Sequence, residues 1–257
     1  MRNIITIARR ELASYFESPI AYVVIGFFAL LFGYFFFSIL QFFVAQSMQM
    51  SQMNFEGAPP VNVNLMMIRP LLLNAGLLVL FALPMVTMRT FSEEKRSGTI
   101  ELLLTSPLTD WQIILGKFFG ALGLYALMLL ITLLDIGLLF AFGNPEWKPI
   151  ATSYLGLLLM GGAFIAVGIF ISSLTKNQVV AVFITFATFL MLYVINWVED
   201  AAGPVTRTIV GFLSITDRFD DFSKGIIDTK HIVYYLSFIT FGLFLTARSL
   251  DSERWKG

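Results

Sequence analysis

The residues best able to do chemistry in this chain are gathered between Arg89 and Gln112. The stretch reads Arg89-Thr90-Phe91-Ser92-Glu93-Glu94-Lys95-Arg96-Ser97-Gly98-Thr99-Ile100-Glu101-Leu102-Leu103-Leu104-Thr105-Ser106-Pro107-Leu108-Thr109-Asp110-Trp111-Gln112. Gly98 interrupts the charged run as a helix-terminating glycine would. Thr99 is spaced to cap a new turn, and Glu101 falls near the positive end of that turn. Ile100 and Leu102 to Leu104 give it an apolar side, and Pro107 should stop it at about Ser106. Thr109 and Gln112 then have the spacing of a capping box, with Leu108 and Ile113 at the positions of a hydrophobic staple. The pattern predicts a stiff, charged knuckle made of two short helical pieces.

Other chemistry is sparse. There is no Cys and a single His, His231, so thiolate catalysis, disulfides and multi-histidine metal centres are excluded. The sequence contains no H-E-x-x-H, no G-x-S-x-G and no G-x-x-x-x-G-K-[ST] phosphate loop. ATP hydrolysis by this polypeptide is therefore not expected. Met48, Met50, Met53, Met66 and Met67 are soft potential ligands, but without His, Cys or regular spacing they read as apolar packing, and no metal site is expected. Asp135 stands alone in an apolar run. It is either a polar contact in a translocation path or dimer seam, or an acid near the outer end of a tilted helix reaching water.

The elements that position these residues follow from composition. Of the 257 residues 57% are hydrophobic and 13% charged, against roughly a quarter charged in soluble domains. A soluble fold of this size could not hide so much apolar surface, so the lipid bilayer must act as solvent. Six apolar runs of near-spanning length occur at 20–44, 70–88, 113–142, 154–174, 179–198 and 232–247. Eleven of the 17 basic residues lie on the side of the termini, which puts both termini in the cytoplasm. Residues 1–19 read as an amphipathic helix lying on the cytoplasmic membrane face, with Ile5, Ala8, Leu12 and Tyr15 at helical spacing and Ser18-Pro19 ending it. The chain reads as one all-α integral membrane domain over 1–257, with 89–112 inside and an acidic outer loop at 199–230. Gly116-x-x-x-Gly120, Gly162-x-x-x-Ala166 and Gly168-x-x-x-Ser172 are suited to close helix packing within the subunit. The formal net charge of zero offers no basic field for nucleic acid.

The run from Phe91 to Pro107 closely resembles the E-E-x-x-x-G-T-x-E-x-L-x-x-x-P signature of ABC-2 type permeases, and Arg10-Glu11-Leu12 to Ser18-Pro19-Ile20 is similar to their entry helix. Within that family the chain most resembles the gliding-motility and nitrous-oxide-reductase-maturation group. The resemblance implies an ABC-2, type V exporter-like transmembrane domain in a bacterial inner membrane. It implies that Glu93, Glu94, Gly98, Thr99, Glu101 and Pro107 belong to a coupling helix that docks on an ATPase subunit, and that Arg10, Glu11 and Pro19 belong to the entry helix. A second permease subunit, identical or different, is implied too. ATP and Mg would be bound by the partner ATPase, with no cofactor on this chain. Export driven by that partner is the expected function. The alternative is a membrane subunit that transmits force to a periplasmic accessory protein without moving a cargo.

Overall fold

In the computed structural model, residues 2–52, 62–143, 145–201 and 214–254 are described. Met53, noted above, lies outside them, as do residues 202–213 of the expected outer loop. Every regular element among the described residues is helical. In chain order they are α1 (Arg2–Glu17), α2 (Pro19–Gln52), a π-helical turn (Asn64–Ile68) leading into α3 (Arg69–Thr87), α4 (Arg89–Ser97) and α5 (Ile100–Leu104). Then follow α6 (Asp110–Phe142), α7 (Trp147–Leu174), α8 (Gln178–Ala201), α9 (Thr216–Ser223) and α10 (Thr229–Arg254).

Among the described residues, six helices are long and apolar enough to cross a membrane: α2, α3 with the helical turns that flank it, α6, α7, α8 and α10. A helix is the only open-ended element that satisfies its own backbone in hydrocarbon, and this accounts for the all-helical chain. Several helices outrun the apolar stretches that mark them. α2 continues to Gln52, α7 starts at Trp147, and α10 extends from Thr229 to Arg254. Polar ends of such helices can leave the hydrocarbon without losing their hydrogen bonds, so hydropathy alone under-reads them.

α3 and α7 form the centre, with most of their residues buried, while α2 and α8 are largely exposed. The outer face of α2 carries Tyr22, Phe27, Leu30, Tyr34 and Phe37, the surface of a lipid-facing helix. Glycines set the closest helix approaches. At Gly156 an added Cβ would lie 2.8 Å from the Phe222 side chain, which lets α9 rest on α7. Gly242 lies against the Ala166 backbone, so part of the small-residue pattern of α7 serves α10. Gly116 and Gly120 face α1 rather than another span: a Cβ would meet Ile7 at 2.5 Å and Glu11 at 2.6 Å. α1 is therefore packed lengthwise on α6 through Ile7, Ala8 and Glu11, and only the side carrying Ile5 is left outward.

At the end of the bundle far from the knuckle, polar pairs replace apolar packing. The Asn64 side chain donates to the Glu146 carbonyl and accepts from its N–H, both at 3.0 Å. Arg69 and Lys224 both reach Asp220, and His231 Nε2 lies 2.8 Å from Asp221. Asp220 and Asp221 of the expected outer loop are thus engaged within the chain. Burial pushes the Asp220 carboxyl up, but hydrogen bonds from Lys224 and Arg69 outweigh it and hold the group below its usual value.

Two outcomes follow. Gly120→Leu forces α1 off α6, an overpacking cost of about 1–3 kcal/mol, read as a lower melting temperature in detergent and as new reactivity of a single cysteine placed at Ala8. The stabilisation from Asp220 is fully present above about pH 4 and is lost as pH falls through the depressed folded value. Melting temperature should fall with acid in that window, and Asp220→Asn should lack that part of the slope.

Candidate functional site

The knuckle begins where α3 hands over to α4 at Met88, and its first turn is capped from another helix. Ser172 Oγ on α7 accepts from the N–H groups of Phe91 and Ser92, each at 3.1 Å, and donates to the Met88 carbonyl at 2.9 Å. One hydroxyl thereby serves the orphan groups on both sides of the helix junction. α4 ends at Gly98 with φ 74°, the left-handed conformation that favours glycine. The capping box of α6 is present, with Thr109 and Gln112 exchanging side-chain to backbone hydrogen bonds.

Thr99 does not cap α5. Its backbone is already helical at φ −75°, ψ −9°, and its hydroxyl turns back to Ser97 Oγ at 2.8 Å. A residue in that conformation cannot point its side chain at the N–H groups ahead of it, so the threonine secures the end of α4 instead.

The charged residues divide into two groups. At the tip, Gly98, Thr99, Glu101 and Pro107 are exposed, and Leu102 is 73% exposed in their midst. At the base, Glu94 turns inward to Lys117 of α6 at 2.8 Å, and the same ammonium donates to Glu11 of α1. Lys117 is only 4% exposed and lies 5.1 Å from the Phe91 ring centre. The base thus joins the two groups singled out in the sequence, Glu11 of the entry helix and Glu94 of the knuckle, through a lysine that only the charge count had registered. Glu93 stays outward and pairs with Arg89 at 2.9 Å. Asn3 of α1 reaches Gln112, and the Tyr15 hydroxyl donates to the Val86 carbonyl at 3.1 Å, so α1 touches the start of α6 and the end of α3.

The last helix holds both feet of the knuckle. Lys95, buried at the end of α4, bonds Glu253 at 2.8 Å. Arg254 Nη2 lies 2.7 Å from Asp110 Oδ1, the first residue of α6, close enough to pair though not aligned as a hydrogen bond. Consecutive residues of α10 therefore grip the chain before and after the tip. Pro19 starts α2 directly after the turn at Ser18. Asp135 is far from this cluster. It is half-buried on α6 between the exposed Leu134 and Leu138 and makes no hydrogen bond or ion pair among the described residues.

No group of three or more His, Asp or Glu side chains among the described residues could hold a metal ion. Pairing, burial and exposure suit the knuckle to mechanical contact more than to bond-making: its base is locked and its tip is free.

The comparisons bear on the family of the chain. A family model described as ABC-2 family transporter protein matches residues 62–216, a range that takes in the whole knuckle. The chain is 33% identical over 146 residues to a protein of Escherichia coli K12 described as the probable multidrug ABC transporter permease YbhR. The counterpart from Escherichia coli O157:H7 matches equally. The alignment covers 55% of this chain and 38% of each relative, so the matched part spans less than half of the relatives' length.

Lys117→Met leaves two half-buried carboxylates without their shared cation, a loss of about 3–5 kcal/mol for breaking a buried pair. The melting temperature of the detergent-solubilised protein should drop accordingly. The triple variant with Glu11→Gln and Glu94→Gln should recover much of it; no recovery would show that the ion pairs are not what holds the base.

Proposed function

The chain belongs to the ABC-2 family of transporter proteins, and on that premise we propose that it is the membrane subunit of an ATP-driven exporter whose ATPase is a separate polypeptide docked on the α4–α5 knuckle. The observation that carries this reading is the division of the knuckle into a locked base and an exposed tip. A part that receives force from a partner needs a surface free to bind and a root that cannot bend. Glu101 and Leu102 supply the first, and Lys117, Ser172 and the end of α10 supply the second.

In this account the knuckle faces the cytoplasm, in the bacterial inner membrane. Closure of two ATPase subunits around ATP and Mg pushes the tips of two paired permease subunits, identical or not. Because the base is rigid, the push reaches α3 and α6 through the chain and α10 through Lys95 and Asp110. The six spans then rearrange between inward-open and outward-open states as packed helices shift against one another. Glu101 and Leu102 are the contact residues, Gly98 and Pro107 shape the tip, and Glu94 and Glu11 transmit through Lys117. The multidrug description of the Escherichia coli relatives supports an amphipathic small molecule as cargo. A force-transmitting subunit without cargo draws little support from the outer acids, since Asp220 and Asp221 are occupied by Arg69, Lys224 and His231.

Glu101→Arg with Leu102→Asp should weaken co-purification of the ATPase expressed with it by about tenfold or more, the effect of losing one interface anchor. Helix content and melting temperature should stay unchanged. Full ATPase retention and undiminished transport by this variant would mean that the tip is not the docking surface.

A further inference from the structure

A polar pocket of about 330 Å³ opens between α1, the start of α4 and Lys117 of α6. Most of its charges are spent on one another. Lys117 serves Glu11 and Glu94, and Arg89 serves Glu93. Two lining residues remain, Arg10 and Glu17, and neither forms an ion pair among the described residues. They lie seven positions apart on α1, two helical turns or roughly 10 Å along the axis. The pocket therefore offers, on one wall, a cation and an anion that lack an ion-pair partner, with the Arg10 charge also felt by Glu94. Glu94 Oε2 and Arg89 Nη1 add to this, because each is buried without a hydrogen-bond partner while the rest of its side chain lines the pocket. Such orphans are costly, and a ligand donor reaching Glu94 Oε2 would satisfy it while Oε1 keeps Lys117.

The position of the pocket narrows the ligand. Ser18, also in its lining, is where the chain turns into the first span, and Arg89 is where the second span ends. Lys117 lies roughly 10 Å along α6 from Asp110, so the pocket is at the root of the knuckle and away from the tip. This is the level of lipid headgroups, not the level of the exposed tip. We infer that the pocket is a binding site for a phospholipid headgroup carrying a phosphodiester and a primary ammonium, as in phosphatidylethanolamine. Arg10 takes the phosphate, and Glu17, with Glu94, takes the ammonium.

The chemistry selects within lipids. A guanidinium matches phosphate oxygens in a forked geometry. The carboxylates accept hydrogen bonds and need N–H donors; a primary ammonium has three, and the trimethylammonium of phosphatidylcholine has none. Phosphatidylglycerol carries no cation and would leave Glu17 unmatched in a pocket whose four carboxylates already outnumber its three bases. The ethanolamine lipid satisfies both free charges at once. The site rests on the membrane reading of the fold and not on the ATPase docking proposed above, so it stands or falls separately.

Full-length protein purified in detergent would be given an equimolar mixture of phosphatidylethanolamine, phosphatidylcholine and phosphatidylglycerol, and bound lipid would be counted by native mass spectrometry. The expected result is retention of the ethanolamine lipid about tenfold over the other two, the worth of one charge-assisted hydrogen bond. That preference should vanish in Glu17→Gln and in Ser14→Phe, which fills the pocket without touching a charge, with circular dichroism confirming unchanged helicity. Equal retention of the three lipids, or a preference that survives both variants, would overturn the site. Displacement of the lipid by equimolar water-soluble glycerophosphoethanolamine would overturn the lipid assignment in favour of a soluble ligand.

Discussion

The ammonium of Lys117 is the one interaction on which the arrangement of the knuckle depends. It is almost fully buried, and it draws a carboxylate from α1 and another from α4 onto the flank of α6. A lysine in such a place has lost its water and must be paired, so the position of α1 and the direction in which α4 leaves α3 are not free choices. Gly116 and Gly120 permit the approach by removing the side chains that would hold α1 away. Remove the cation and the entry helix and the knuckle lose their common anchor; remove the glycines and Glu11 cannot reach it.

Around that anchor the knuckle is stabilised by groups borrowed from distant parts of the chain. Ser172 caps a helix it does not belong to, and Glu253 and Arg254 hold the two feet of a tip that precedes them by more than a hundred residues. The consequence is mechanical. α7 and α10 are bonded to the knuckle directly, so displacement of the tip is shared among several spans and is not limited to the two that flank it in sequence. The transporter family and the multi-pass membrane fold are consistent with a part built this way.

Local signals in the sequence were readable and long-range ones were not. Thr109 and Gln112 are three residues apart, so their capping box declared itself, and Gly98 marked the end of α4 because a left-handed residue favours glycine. The six spans followed from apolar length. Thr99 misled because capping depends on the backbone angle of the cap itself, which spacing does not reveal. Lys117 could not be paired in advance, since Glu11 is 106 positions away and nothing in either residue's neighbourhood names the other. Gly116 and Gly120 showed a close approach without its partner, which proved to be α1. The expected outer loop read simply as acidic because bases that meet Asp220 and Asp221, namely Arg69 and His231, come from the second and last spans.

The shared anchor at Lys117 requires α1 and α4 to move as one body, and a direct distance measurement tests this. The chain has no native cysteine, so single spin labels can be placed at Arg9 on α1, Arg96 on α4 and Lys148 at the far end of α7. Pulsed electron resonance on the assembled complex, at rest and trapped with ATP, would report the distance within each pair. The account predicts an unchanged distance between Arg9 and Arg96 while both shift relative to Lys148. A change between Arg9 and Arg96 on trapping, with Lys148 fixed relative to either, would contradict it.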